Sequence, residues 1–175
     1  MTLQQYIDKI NTLFKTGNAR EHSYRGDLQQ LLMTILPDVL VTNEPARVDC
    51  GAPDYVLTKK DIPVGYIEAK DIGVNLKDKK LKEQFDRYKA GLSNLIFTDY
   101  MDFHFYKDGE FITSISIAYV ENGNIIAKPE NFEQFTQLIK NFATTVTQTI
   151  KSPTKLAKMM AGSSINGKYY WAKFK

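Results

Sequence analysis

The chain has 175 residues, a formal net charge of +3, 25% charged residues and 43% hydrophobic residues, which is ordinary for one soluble globular domain with a good-sized core. A single cysteine, Cys50, excludes an intramolecular disulfide and a cysteine-rich zinc site, and a reducing cytoplasm fits this usage best. No apolar run approaches the length of a transmembrane helix, and the first residues lack the pattern of a signal peptide, so we expect a soluble cytoplasmic protein without membrane contact.

Two helices are predicted at the start of the chain. Apolar residues recur at helical spacing from residue 3 to residue 15, and Gly17 is expected to end this helix. A second helix is predicted to begin near Ser23 and to end at Pro37. Glu21 lies near its start, where a carboxylate commonly interacts with the positive end of a helix.

A β-hairpin is predicted next, after a short strand at residues 39–43. Its strands are residues 52–56 and 66–70, and the polar residues 59–63 form the turn. Since side chains alternate along a strand, Glu68 and Lys70, which form a Glu-x-Lys motif, point to the same face of the sheet.

Asp54 opens the first strand of this hairpin and is expected to lie beside Glu68 and Lys70 at one sheet edge. Two carboxylates at short distance favour a bound cation, and Mg²⁺ typically takes one or two carboxylates, several waters and a substrate phosphate. The alternative is an ordinary surface hairpin with solvated charges. Glu44 and Asp49, in the turn-rich approach to this strand, are substitute metal ligands or solvated loop charges.

A third helix is predicted from residue 76 to residue 90, with Asn75 as its cap. Gln84 and Tyr88 lie one turn apart on it. One interpretation is a core helix with a basic outer face. The other gives Gln84 and Tyr88 a role at a phosphate or a metal-bound water, and assigns nonspecific contacts with a nucleic-acid backbone to Lys80 and Arg87.

The rest of the chain predicts further strands and one more core helix. Strands are expected at residues 94–98 and 103–107, a long strand at 111–120, and an apolar helix after Pro129. The element order therefore predicts an α/β fold with a mixed central β-sheet flanked by helices on both faces.

Residues 1–150 are expected to form one domain. Residues 151–175 are expected to contain a helix that begins at Ser152 and Pro153, followed by a basic, aromatic tail. This tail is either an exposed end or the start of a further region.

The hairpin motif resembles a known nuclease superfamily. Pro53-Asp54 followed by Glu68-Ala69-Lys70 is similar to the signature of the PD-(D/E)xK nucleases. The resemblance implies a restriction-endonuclease-like α/β/α core. It also implies that Asp54, Glu68 and the Ala69 carbonyl bind Mg²⁺, that Lys70 assists the attacking water, and that Glu21 is an additional acidic residue of the metal site.

The downstream helix sharpens this resemblance. Gln84 and Tyr88 match the Gln-x-x-x-Tyr motif of the helicase-nuclease branch, and the motif order is most similar to the N-terminal nuclease domain of Type ISP restriction-modification enzymes. This implies a Mg²⁺-dependent DNA endonuclease acting on double-stranded DNA. It also implies helicase, methyltransferase and target-recognition modules in a longer chain, and a second nuclease copy for double-strand cleavage. The alternatives are a noncatalytic DNA-binding module that retains the nuclease fold and a structural interaction domain.

Overall fold

Two helices precede the sheet, as predicted. The structure is a computed structural model that describes residues 1–144, in which α1 spans Leu3–Lys15 and α2 spans Glu21–Ile35. The second helix begins two residues earlier than predicted. Ser23 lies inside its first turn, where its hydroxyl accepts a hydrogen bond from the Arg20 N–H at 3.1 Å, so the serine supports the helix start without being its first residue.

Six strands form a mixed sheet in which strand order follows chain order. Every neighbouring pair is antiparallel except β3 and β4, which are parallel because a helix crosses over between them. The strands are β1 Leu40–Asn43, β2 Tyr55–Lys59, β3 Ile62–Ala69, β4 Asn94–Thr98, β5 Asp102–Lys107 and β6 Glu110–Ser116.

The hairpin turn is shorter than the predicted one. Lys60 and Asp61 make the turn with positive φ angles of 49° and 63°. Ile62 and Pro63 already belong to β3, where Pro63 pairs with Thr58 beside a register irregularity. A proline is tolerated at such an irregular position because the regular ladder of N–H donors is interrupted there.

The crossover helix begins later than predicted. A short 3₁₀ helix, Lys79–Leu81, leads into α3, Lys82–Gly91. Asp78 caps the 3₁₀ helix by accepting the Lys80 N–H at 2.9 Å. Asn75 instead accepts the Lys77 N–H in a preceding turn, so the predicted cap at Asn75 is wrong.

Helices cover both faces of the sheet, which confirms the predicted α/β fold with its mixed central sheet. The larger core lies between α1, α2 and one sheet face, and a last helix, α4 Phe132–Thr144, packs on this side. Gly65 of β3 allows this close packing, because a Cβ there would collide with the Phe142 ring. The smaller core lies on the other face, where Phe85 of α3 stacks on Phe97 of β4 at 3.6 Å between ring centroids.

The predicted long strand at residues 111–120 is two strands in two sheets. β6 ends at Ser116, and β7 Ala118–Glu121 pairs with β8 Asn124–Ala127 as a separate two-stranded sheet. Ile117 between them is buried, and its N–H donates to the Met101 carbonyl at 2.9 Å. The alternation of burial ends here, because Ile117 and Ala118 are both buried while Tyr119 and Val120 are both exposed.

The last predicted elements lie outside the described residues. These are the helix that begins at Ser152, the basic aromatic tail, and the domain end at residue 150. Within residues 1–144, no helix has both the length and the hydropathy needed to cross a bilayer.

Candidate functional site

The strand register brings Asp54 and Glu68 together. Tyr55 of β2 pairs with Ile67 of β3, and extending this antiparallel register by one residue places Asp54 opposite Glu68. Both carboxylates are buried, with 8% and 3% of the residue surface exposed. The Ala69 N–H donates to Asp54 Oδ2 at 2.7 Å. Asp54 lies just before β2, and does not open the strand as predicted, but it is fixed to the end of β3.

Glu68 has one saturated oxygen and one free oxygen. Its Oε1 accepts hydrogen bonds from Lys70 Nζ at 2.7 Å and from Gln84 Nε2 at 2.6 Å. Its Oε2 is buried without a hydrogen-bond donor among the described residues. Burial, followed by the negative charge of Asp54, raises the pKa of Glu68 from 4.5 to about 7, since both disfavour the ionised form.

Asp54 is held by a buried arginine. Arg25 Nη2 donates to Asp54 Oδ1 and also to Glu21 Oε1 at 2.8 Å, and Arg25 Nη1 donates to Glu44 Oε1 at 2.8 Å. Burial raises the pKa of Asp54, and the Ala69 N–H and the Arg25 charge oppose that rise. The structure thus places Glu21 and Glu44 beside Asp54, each bound to the same guanidinium.

Sequence reasoning assigned no role to Arg25, although the sequence contains a signal. Arg25 lies three residues before Leu28 and seven before Leu32, so it falls within the buried stripe of α2. A charged residue in such a stripe requires a partner. Glu21, one helical turn earlier, is the local candidate, but Asp54 is distant in sequence.

Two tyrosines fix the first turns of α2. The Tyr100 hydroxyl donates to the Glu21 carbonyl at 2.7 Å, and the Tyr55 hydroxyl donates to the Arg25 carbonyl at 3.0 Å. Both tyrosines are fully buried. The backbone that carries Glu21 and Arg25 is therefore anchored to the sheet on two sides.

Helix α3 brings Gln84 and Tyr88 to the other side of the site. Gln84 donates to Glu68 Oε1, and Tyr88, one helical turn later, is 2% exposed. Burial and the nearby Glu68 charge raise the pKa of Tyr88. The Tyr88 hydroxyl packs against Gly51, where a Cβ would lie 2.9 Å from it.

Lys80 and Arg87 lie on the exposed surface of the same crossover. Arg87 Nε donates to the Cys50 carbonyl at 2.8 Å, and its guanidinium lies 5.8 Å from the centre of the Tyr88 ring. Two other cations of this helix, Lys82 and Lys89, are paired with Asp86 at 2.6 and 2.8 Å. Because Lys82 and Lys89 are paired, less positive charge is left for an external partner than the number of cations on this surface suggests.

The donor set suits a hard cation with few protein ligands. Within residues 1–144, no group of three or more His, Cys, Asp or Glu side chains is arranged to hold a metal ion. Mg²⁺ requires fewer, because it keeps several waters and binds one or two carboxylates. The free, buried Glu68 Oε2 opposite Asp54 fits such an ion, whereas Glu21 is engaged by Arg25.

Comparison with known proteins supports the fold. No protein-family model and no curated protein matches this sequence. A cryo-electron microscopy structure of the DrdV–DNA complex is similar, with a TM-score of 0.60 and 22% sequence identity over 81% of this chain. The matched region is 13% of the DrdV chain, so the likeness concerns the α/β fold of a small part of that protein.

Proposed function

We propose that this chain is a Mg²⁺-dependent DNA endonuclease domain that hydrolyses phosphodiester bonds. The observation that carries the proposal is the buried Glu68 carboxylate, which has one free oxygen opposite Asp54 and Lys70 on its other oxygen. Buried polar atoms are nearly always partnered, so a free carboxylate oxygen in a carboxylate pair suits a bound cation. The fold likeness to a protein solved in complex with DNA supports DNA as the substrate.

The metal would be held by the carboxylates of Asp54 and Glu68, with the Ala69 carbonyl as the third protein ligand that the motif implies. When bound, such an ion polarises a phosphoryl oxygen and lowers the pKa of a bound water. Arg25 fixes the Asp54 carboxylate from α2, and Gln84 fixes Glu68 from α3.

Lys70 is the residue that would act on the reacting atoms. An ammonium has three N–H donors, and Glu68 Oε1 takes one of them. The other donors are suited to orient the attacking water and to stabilise the negative charge that develops on the phosphate oxygens. The Lys70 side chain is 16% exposed, so it reaches the surface while remaining fixed by Glu68.

The motif order supports a finer proposal, namely that this domain is the nuclease part of a Type ISP restriction-modification enzyme. Helicase, methyltransferase and target-recognition modules of a longer polypeptide would then determine where it cuts. Because one site hydrolyses one strand, cleavage of duplex DNA would require a second nuclease copy.

A plasmid-nicking assay tests the proposed activity. The full chain is incubated with supercoiled plasmid in Mg²⁺ or in EDTA, and nicked circles are quantified on a gel. We expect nicking in Mg²⁺ only, and its loss in Lys70→Ala and Asp54→Ala. Lys89→Ala is the matched control, because Lys89 is paired with Asp86 on the surface of α3.

The alternative of a noncatalytic DNA-binding module predicts a different pattern. In that case wild type and Lys70→Ala shift the plasmid equally on a native gel, and neither nicks it. A Lys70→Ala protein that nicks as fast as wild type would show that Lys70 has no role in the reaction.

A further inference from the structure

A single guanidinium nitrogen bridges two acidic side chains at the candidate metal site. Arg25 Nη2 donates to both Asp54 Oδ1 and Glu21 Oε1, and Arg25 itself is 6% exposed. The two carboxylates come from different parts of the chain, the residue before β2 and the first residue of α2. A cation shared by two converging carboxylates occupies the kind of position that a metal ion takes in other acidic sites.

We propose that the Arg25 guanidinium replaces a second metal ion, so that the site binds one divalent cation, between Asp54 and Glu68. The inference rests on the proposed function. Two-metal phosphodiesterases place their ions about 3.5–4 Å apart, and the second ion needs acidic ligands beyond those of the first. Here the acidic groups next to Arg25 are Glu21 and Asp54, which bind it through Oε1 and Oδ1.

The hydrogen bonds accepted by the carboxylate oxygens support a single ion. Each carboxylate oxygen has two lone pairs. Asp54 Oδ1 accepts from Arg25 and Oδ2 from the Ala69 N–H, while Glu68 Oε1 accepts from two donors and Oε2 accepts from none of the described residues. The buried carboxylate oxygen without a donor among the described residues is therefore Glu68 Oε2, whereas Glu21 binds Arg25 through Oε1.

The charges lead to the same number of ions. Four carboxylates surround two buried or half-buried cations, so the site has a net charge of −2 when its carboxylates are ionised; the groups are Glu21, Glu44, Asp54, Glu68, Arg25 and Lys70. One divalent ion balances this charge. A second would leave a net charge of +2 on a site whose members are mostly buried, with Glu44 as its exposed member. A phosphodiester supplies a single negative charge, so this excess is unfavourable at low dielectric.

Arg25 is also fixed in both charge and position. A guanidinium is not deprotonated in proteins, so a metal ion cannot displace it by proton release as it displaces a proton from an acidic ligand. The turn that carries it is anchored through the Tyr55 and Tyr100 hydroxyls. Moving Arg25 aside to admit a second ion would leave a buried cation without its partners.

The number of Mn²⁺ ions bound at this site tests the inference. Mn²⁺ is titrated into the full wild-type chain and into Asp54→Asn, with calorimetry to count sites and electron paramagnetic resonance to detect coupling between neighbouring ions. We expect wild type to bind one ion more than Asp54→Asn, and the spectrum of that ion to show no coupling to a second manganese. Two extra ions, or a coupled spectrum, would overturn the single-ion inference but leave the nuclease proposal in place. No difference between wild type and Asp54→Asn would overturn both.

Glu21→Gln provides a second test that does not remove the buried arginine. We do not substitute Arg25, because three carboxylates without their cation would destabilise the fold. If Glu21 binds Arg25 and not a metal, Glu21→Gln keeps the wild-type number of Mn²⁺ ions and changes the dissociation constant by at most about tenfold, since only a nearby charge is lost. Loss of an ion in Glu21→Gln would show that Glu21 is a metal ligand and would overturn the inference.

Discussion

Two buried carboxylates lie at the C-terminal ends of the neighbouring parallel strands β3 and β4. Asp99, which follows β4, is 2% exposed and accepts three backbone hydrogen bonds, from Gly73, Met101 and Asp102 at 3.0, 3.1 and 2.7 Å. Glu68, near the end of β3, is 3% exposed and has a buried oxygen with no donor among the described residues. The strand ends are equivalent in the sheet, but only Asp99 is fully partnered.

This difference in hydrogen bonding distinguishes a structural acid from a candidate functional acid at this sheet edge. Both acids are buried and both lie near this sheet edge, so neither property identifies a functional acid. A carboxylate that accepts several backbone N–H groups stabilises a turn, whereas one that keeps a free buried oxygen costs stability unless a ligand compensates it. We therefore propose that Glu68 belongs to a site and that Asp99 belongs to the fold.

Activity should distinguish the two acids most strongly. We expect Glu68→Gln to reduce Mg²⁺-dependent nicking by at least about 100-fold. Loss of a residue that only supports a metal ligand costs up to about 100-fold, and loss of a ligand should cost no less. Asp99→Asn should leave the rate per folded molecule close to that of wild type. Plasmid nicking, normalised to the folded fraction by circular dichroism, measures both. Equal loss in the two variants would mean that the comparison does not identify the functional acid.

The pH dependence of stability is expected to follow Glu68. Burial and Asp54 raise the pKa of Glu68 from 4.5 to about 7, so the folded state retains a proton that the unfolded chain has lost. The stabilising contribution is complete below pH 4.5 and is lost as the pH rises through about 7. Between pH 5 and pH 8, we expect metal-free wild type to lose about 2 to 3 kcal/mol relative to Glu68→Gln.

Urea unfolding in EDTA at pH 5, 6.5 and 8 measures this loss. The difference between wild type and Glu68→Gln isolates Glu68, because Asp54 and Asp99 remain in both proteins. If the two free energies of unfolding change in parallel with pH, burial and the Asp54 charge do not raise the pKa of Glu68 in the folded protein.

Asp99→Asn should instead affect stability alone. An asparagine offers one acceptor oxygen, whereas three N–H groups converge on the two oxygens of Asp99. At least one N–H would face the new amide N–H₂ group. We expect a loss of about 1 to 2 kcal/mol in the free energy of unfolding, measured by urea unfolding at pH 7. A variant as stable as wild type would contradict the structural role of Asp99.

Much of the fold follows from local patterns in the sequence. α1, β4 and β5 lie within a residue of their predicted bounds, because helical and alternating periodicities report directly which face is buried. The break at Ile117 was not predictable in this way, since apolar residues continue through it in the sequence while the backbone changes sheets. Asn75 and Asp78 are equally good caps, and only the structure shows that Asp78 is used.

The site was predictable only in part. Alternation along β3 predicts that Glu68 and Lys70 share a face, and the hairpin predicts that Asp54 lies near them. The bond between Arg25 and Asp54 joins residues that are 29 positions apart and depends on how α2 packs on the sheet. Whether Glu68 Oε2 has a donor depends on all the residues that pack around it, so no local sequence pattern predicts that it is free.

The outer surface of the crossover helix should have the smallest effect. Lys80 and Arg87 are exposed there, on the sheet face that also carries Gln84 and Glu68. We expect Lys80→Ala with Arg87→Ala to weaken duplex DNA binding several-fold and to lower the slope of log K against log salt by about 1 to 2. Fluorescence anisotropy in Ca²⁺ at several salt concentrations measures both quantities.

Lys15→Ala with Lys140→Ala removes two exposed cations from α1 and α4, which pack on the opposite face, and should leave the slope unchanged. The same slope in both double variants would show that Lys80 and Arg87 make no contact with DNA phosphates.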